Sequence, residues 1–112
     1  MNKNIPKNLI ECFGELSREL SPENIEEIRS GKEEDMVQHH HGLGRYLRNE
    51  WGLWQDSLLS KWFNEKGIHH ADDMSGIILD SFWRQLNLQP INLTEQIKHY
   101  QDYWVEMSKE NE

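Results

Sequence analysis

Apolar residues recur at three- and four-residue steps through almost the whole chain, and that spacing permits little besides packed helices. Leu9, Ile10, Phe13, Leu16 and Leu20 fall on one face of a helix predicted to start near Pro6. Ser21-Pro22-Glu23 is a restart signal: Ser caps free amides, Pro suits the first turn, and Glu suits the positive helix end. Ile25 and Ile28 then point inward, and Gly31 is placed to stop the helix. A third helix is predicted from about Glu33 to Glu50, with Met36, Val37, His40, Leu43 or Gly44, Leu47 and Trp51 as its buried stripe. Gly42 and Gly44 each weaken it by about 1 kcal/mol relative to Ala, so they mark a close backbone approach or a kink.

Trp51-Gly52-Leu53-Trp54 reads as a turn. A helix follows from about Ser57 to Lys66, with Leu58, Leu59, Trp62 and Phe63 inward and Gly67 as its stop. Asp72 is placed to cap the next helix, which runs through about Leu86 and buries Met74, Ile77, Ile78, Ser81 and Phe82. Pro90 breaks the chain, and Asn92 or Thr94 caps a last helix on which Ile97, Tyr100, Trp104 and Met107 share a face. β-alternation and internal repeats are missing. The expectation is a single compact all-α domain over residues 1–112, of five to six helices and no sheet, ordered from about residue 6 to 107 with fraying ends. Each of five tryptophans can bury on the order of 200 Å². Trp51, Trp62 and Trp104 are expected in the core, and Trp54 and Trp83 as surface anchors.

The formal charge is −8. It is concentrated between Glu11 and Asp35, where nine acidic residues face Arg18, Arg29 and Lys32. Such a field disfavours nucleic acid and anionic membrane and favours a cationic partner; the bland alternative is a solvated face that keeps the chain soluble. The single cysteine, Cys12, leaves no intramolecular disulfide and no zinc cluster. No apolar run approaches the ~20 residues of a membrane span, and none suits a signal peptide, so a cytoplasmic protein is expected.

Chemistry concentrates in His39 to Trp54, HHHGLGRYLRNEWGLW. Consecutive histidines on a helix point about 100° apart, so His39, His40 and His41 cannot aim at one ion, and the helical i, i+4 metal spacing is missing. No metal and no cofactor is expected. A His/Asp-dependent hydrolase or metal-binding protein would use His40, His41, His69, His70 and Asp73, with Arg45 and Arg48 for a phosphodiester. That reading requires both histidine segments to converge on one cleft with donor atoms within bonding reach. The competing reading is architectural: His40 half-buried against a carboxylate, and Arg45 or Arg48 tied to backbone carbonyls. Gly42-Leu43-Gly44 lacks the preceding strand that a dinucleotide loop needs.

The run His40-His41-Gly42-Leu43-Gly44, then Arg48-Asn49, then Trp51-Gly52-Leu53-Trp54 resembles the signature of a bacterial domain family of uncharacterised function. Ser60-Lys61, Phe63-Asn64, Lys66-Gly67-Ile68 and Asp72 to Ser81 extend the resemblance over roughly residues 20 to 104. Gln55-Asp56 and Phe82-Trp83 depart from the usual pattern. The resemblance carries no established catalytic residues to transfer, and His40, Gly42, Gly44, Arg48, Asn49, Trp51 and Gly52 read as a structural signature. Some similar small acidic proteins are immunity proteins beside secreted bacterial toxins, including those of contact-dependent growth inhibition. The expected function is therefore a cytoplasmic immunity protein that occludes a cognate toxin, most concretely a basic nuclease, with no enzyme activity of its own. Glu23, Glu26, Glu27, Glu33, Glu34 and Asp35 would imitate phosphates, and Trp54 and Trp83 would anchor the interface. A regulatory or assembly domain is the further alternative.

Overall fold

A computed structural model describes residues 5–110. Among them are six α-helices and no strand: α1 (Leu9–Glu19), α2 (Pro22–Ser30), α3 (Arg45–Glu50), α4 (Leu58–Glu65), α5 (Ala71–Leu86) and α6 (Leu93–Glu110). The all-α expectation is met. α5 is the central element, touching α1, α2, α3, α4, α6 and the segment that precedes α3. Its Ile77, Ile78 and Phe82 are fully buried against Cys12 and Leu16 of α1, Leu47 and Trp51 around α3, and Leu59 and Phe63 of α4. Phe13 and Phe82 bring their ring centroids to 6.2 Å.

The local signals explain most boundaries. Asn8 caps α1 by accepting the Glu11 N–H, and Ser21 caps α2 by accepting that of Asn24. Ser57 and Ser60 exchange reciprocal side-chain-to-backbone bonds of 3.1 and 2.9 Å at the start of α4. Gly52 has φ +66°, a conformation that favours glycine, and the Leu53 N–H reaches back to the Arg48 carbonyl at 3.0 Å. This closes α3 and folds Trp51 into the core.

Several expectations are corrected. Ile10, Val37 and Leu58, read as inward, are exposed; the stripes of α1 and α4 are narrower than hydrophobicity alone suggests. Trp104 is also exposed in large part, and Trp62 is only half-buried, with the Lys66 ammonium 4.3 Å from its ring. Asp72 does not cap α5: His70 occupies that position without a side-chain bond, and Asp72 lies in the first turn facing Arg48. α6 starts at Leu93, after Asn92 at φ +50°, whose carbonyl accepts the Gln96 N–H. α6 continues through Glu110, beyond the expected ordered limit; the rest of the expected fraying lies outside the described residues.

The largest correction concerns the single helix predicted from Glu33 to Glu50. The segment is helical throughout but changes pitch twice, from a 3₁₀ turn (Glu33–His39) to a π turn (His40–Gly44) and then to α3. The histidine–glycine run is the wide turn. Within this wide turn the His40 carbonyl also accepts from Arg48 Nη2 at 3.2 Å.

Candidate functional site

Arg48 is the hub of the signature segment. It is 6% exposed, and its guanidinium donates through Nη1 to Ser75 Oγ at 2.8 Å and through Nη2 to the His40 carbonyl. Nε lies 3.3 Å from Asp72 Oδ1, close enough for ionic attraction although not aligned as a hydrogen bond. Gly44 leaves room for the guanidinium. A Cβ there would sit 3.0 Å from Arg48 Nη1 and 3.5 Å from Leu79 Cδ1. Gly42 faces open space, so the requirement is specific to Gly44. Asn49 accepts from Trp54 Nε1 at 3.1 Å, and the Arg48 guanidinium carbon is 5.9 Å from the Trp54 ring. Trp51 is fully buried, while Trp54 is 61% exposed.

A groove of about 520 Å³ opens beside this hub, between α5, α6 and the 3₁₀–π segment. Its walls include His40, His70, Asp72, Asp73, Asp80 and Trp104. The two histidine segments thus converge in part: His40 and His70 share the groove, His41 does not line it, and His69 borders a neighbouring recess. His40 Nε2 lies 3.9 Å from Asp72 Oδ1. Asp73 accepts from Trp104 Nε1 at 2.7 Å, and the His70 ring stacks on Trp104 with centroids 3.9 Å apart. Among the described residues no three His, Cys, Asp or Glu side chains are grouped to hold a metal ion. Burial, reinforced by Glu33, pushes Asp80 up to about 6, against the opposing pull of Arg84 and His99. Burial also pushes Tyr100 up to about 12.

The residues expected to bind a partner divide into two groups. Glu23, Glu26, Glu27 and Glu34 are exposed. Glu26 pairs with Arg29 one turn on, which holds its carboxyl below the usual range. Glu33 and Asp35 have structural work instead: Glu33 binds Arg84 at 2.7 Å, and Asp35 accepts the Lys32 N–H at 3.0 Å. Trp83 is a correction as an exposed anchor. It is half-buried against the core, and its Nε1 donates to the Gly31 carbonyl at 2.8 Å, tying α5 to the end of α2.

Asp80, Gln96, His99 and Tyr103 were not singled out by the sequence. They come from α5 and α6 and meet only in three dimensions. The one available signal was Gly76, a helix-weakening residue in the middle of α5. Its added Cβ would lie 2.6 Å from the Tyr100 hydroxyl, so glycine there records the close approach of α6.

Fold and site together define a small all-α domain in which a glycine–arginine pair fixes a π turn beside an acidic, histidine-bearing groove. The chain belongs to a family described as a domain of unknown function (DUF6794), which matches residues 5–86. That match begins earlier than the resemblance over residues 20 to 104 and ends with α5, leaving α6 outside it. No curated protein and no solved structure matches the chain. No helix among the described residues is long and apolar enough to cross a membrane.

Proposed function

We propose that this protein is a bacterial protein-binding module, most concretely a cytoplasmic immunity protein that neutralises a cognate secreted toxin carrying a basic nuclease domain. The observation that carries this reading is the exposed carboxylate surface of α2 and the turn after it. Glu23, Glu27 and Glu34 stand in solvent there, on a chain of formal charge −8. Carboxylates spaced along a surface imitate the phosphates a nuclease grips, and charge complementarity accelerates encounter. Trp54, exposed at the end of the signature segment, supplies the kind of aromatic anchor that concentrates binding energy. The test is co-expression with the protein encoded immediately upstream. The expected result is a co-purifying complex and survival of cells that die when the neighbour is expressed alone. No complex and no protection would overturn the reading.

A second reading, a His/Asp-dependent hydrolase, draws support from the shared placement of His40, His70, Asp72 and Asp73 along one groove. It expects ester or phosphodiester turnover that His40→Ala abolishes while the melting temperature stays unchanged. Retained turnover in that variant would remove it.

A further inference from the structure

A cavity of about 240 Å³ opens where the end of α1, α2 and the 3₁₀–π segment meet. Leu20, Ile28 and Leu43 give it an apolar lining, and Asn24, Glu27 and His39 complete its wall. Ile28 is buried, Leu20, Leu43 and His39 are half-buried, and Asn24 and Glu27 stand in solvent. The apolar lining is thus reached past a polar rim. The side chains of Asn24, Glu27 and His39 make no hydrogen bond or ion pair with any described residue, so the rim keeps its full binding capacity.

Size and charge select the occupant. Sites for drug-sized molecules run from roughly 300 Å³ upward, so this cavity suits one large side chain rather than a whole ligand. Glu27 lies one helical turn after Glu23, and like charges at that spacing repel each other. Arg18 and Arg29, the arginines of α1 and α2, are committed to Glu15 and Glu26. No lysine or arginine lines the cavity. An unbalanced carboxylate therefore stands directly beside an open apolar surface. A lone cation would leave that surface wet, and an acidic segment would be repelled at the rim. A segment that is apolar at one residue and cationic at the next satisfies both.

We propose that this cavity seats one large apolar side chain of a basic protein partner, with a lysine or arginine next to that residue reaching Glu27. The proposal rests on the reading that the partner is basic and names where it is anchored. A side chain inserted into a pocket and ringed by polar contacts is the arrangement that concentrates binding energy at interfaces. The Asn24 amide offers both a donor and an acceptor to the main chain of the inserted segment. Because the cavity opens on the carboxylate face of α2, the field that steers a cationic partner delivers it to the seat.

The experiment is a methyl and backbone NMR titration of the full chain with the peptide N-acetyl-Lys-Phe-Lys amide, at pH about 7.5, where an imidazole is mostly neutral. The controls are the same peptide with alanine at its centre and the same peptide with glutamate in place of both lysines. Shifts are expected at the methyls of Leu20, Ile28 and Leu43 together with Glu27. Independently of any variant, intermolecular NOEs are expected from the phenylalanine ring to those methyls. The alanine peptide is expected to bind about tenfold or more weakly, because most of the apolar burial is lost. The glutamate peptide is expected to bind about tenfold more weakly at low ionic strength, a gap that salt narrows. Glu27→Gln is expected to weaken the lysine peptide by about threefold, the scale of an exposed ion pair, and not to weaken the glutamate peptide. Shifts confined to the carboxylates with no ring contact to the methyls, or equal binding of either control, would each overturn the proposal. A protective basic partner indifferent to Glu27→Gln, whose complex leaves the Leu20 and Leu43 methyls unshifted, would remove this seat and keep the immunity reading. Binding of the lysine peptide at the methyls without a protective partner would support the seat and remove that reading.

Discussion

At Arg48 one side chain joins three parts of the molecule: the His40 carbonyl in the π turn, Ser75 in α5 and the Asp72 carboxylate. Removing it takes a donor from the His40 carbonyl, at about 1–3 kcal/mol for a polar group left unpaired, takes one from the Ser75 hydroxyl, which keeps its bond to the Asp72 carbonyl, and leaves a cavity in the core. Arg48→Ala is accordingly expected to destabilise the domain by about 3 kcal/mol or more in denaturant unfolding. His40 contributes through its main chain, which any residue supplies. His40→Ala is expected to stay within about 1 kcal/mol of wild type, and a loss comparable to that of Arg48→Ala would show that the imidazole, not the carbonyl, is the structural element.

Asp80 makes an opposite prediction. Its folded-state pKa, about 6, lies above the model-peptide value because burial and Glu33 penalise the anion. Ionised Asp80 therefore opposes folding above about pH 6; the penalty fades as pH falls through that value and is gone below about pH 4, where both states are protonated. Asp80→Asn should stabilise the protein at neutral pH by on the order of 1 kcal/mol once solvent screening of this partly exposed group is allowed for. Thermal melts of the two proteins should converge toward about pH 4; a constant gap would assign the effect to something other than charge.

At the scale of elements, α6 is joined to the rest chiefly through α5, and glycine decides how closely. Gly76 costs α5 roughly 1 kcal/mol in helix propensity relative to Ala. The Tyr100 hydroxyl occupies the space a methyl would fill. Gly76→Ala is expected to destabilise the wild type, and the same change in a Tyr100→Phe background to be neutral or stabilising. The coupling in this double-mutant cycle should be about 1 kcal/mol or more; simple additivity would mean that α6 does not press on α5 there. The same contact shows what the sequence could and could not reveal. Apolar spacing located α1, α2, α4, α5 and α6, and Ser21 marked the start of α2, because those signals are local. Gly44 was legible only as a suspicious residue in a helix, since its reason, the Arg48 guanidinium, depends on the change of pitch. The groove between α5 and α6 was not legible, because its walls are set by how α6 lies on α5, which no spacing records.

Across the whole molecule, charge and shape are separated in a useful way. Of the signature residues Gly44, Arg48 and Trp51 are buried, while Glu23, Glu27 and Glu34 are exposed. Changing these three to Gln should therefore cost little stability, since isolated surface changes usually stay within about 0.5 kcal/mol each. Association with a cationic partner should respond strongly, because the field that steers encounter is set by these outward carboxylates. The expected loss in association rate is about tenfold or more at low ionic strength, shrinking as salt shortens the Debye length toward about 3 Å at 1 M. Dissociation should change less, because close contacts such as one through Trp54 would act at shorter range than the surface field. A rate loss insensitive to salt would mean that these glutamates make close contacts rather than steer, and unchanged binding would transfer the partner surface to the groove beside α6.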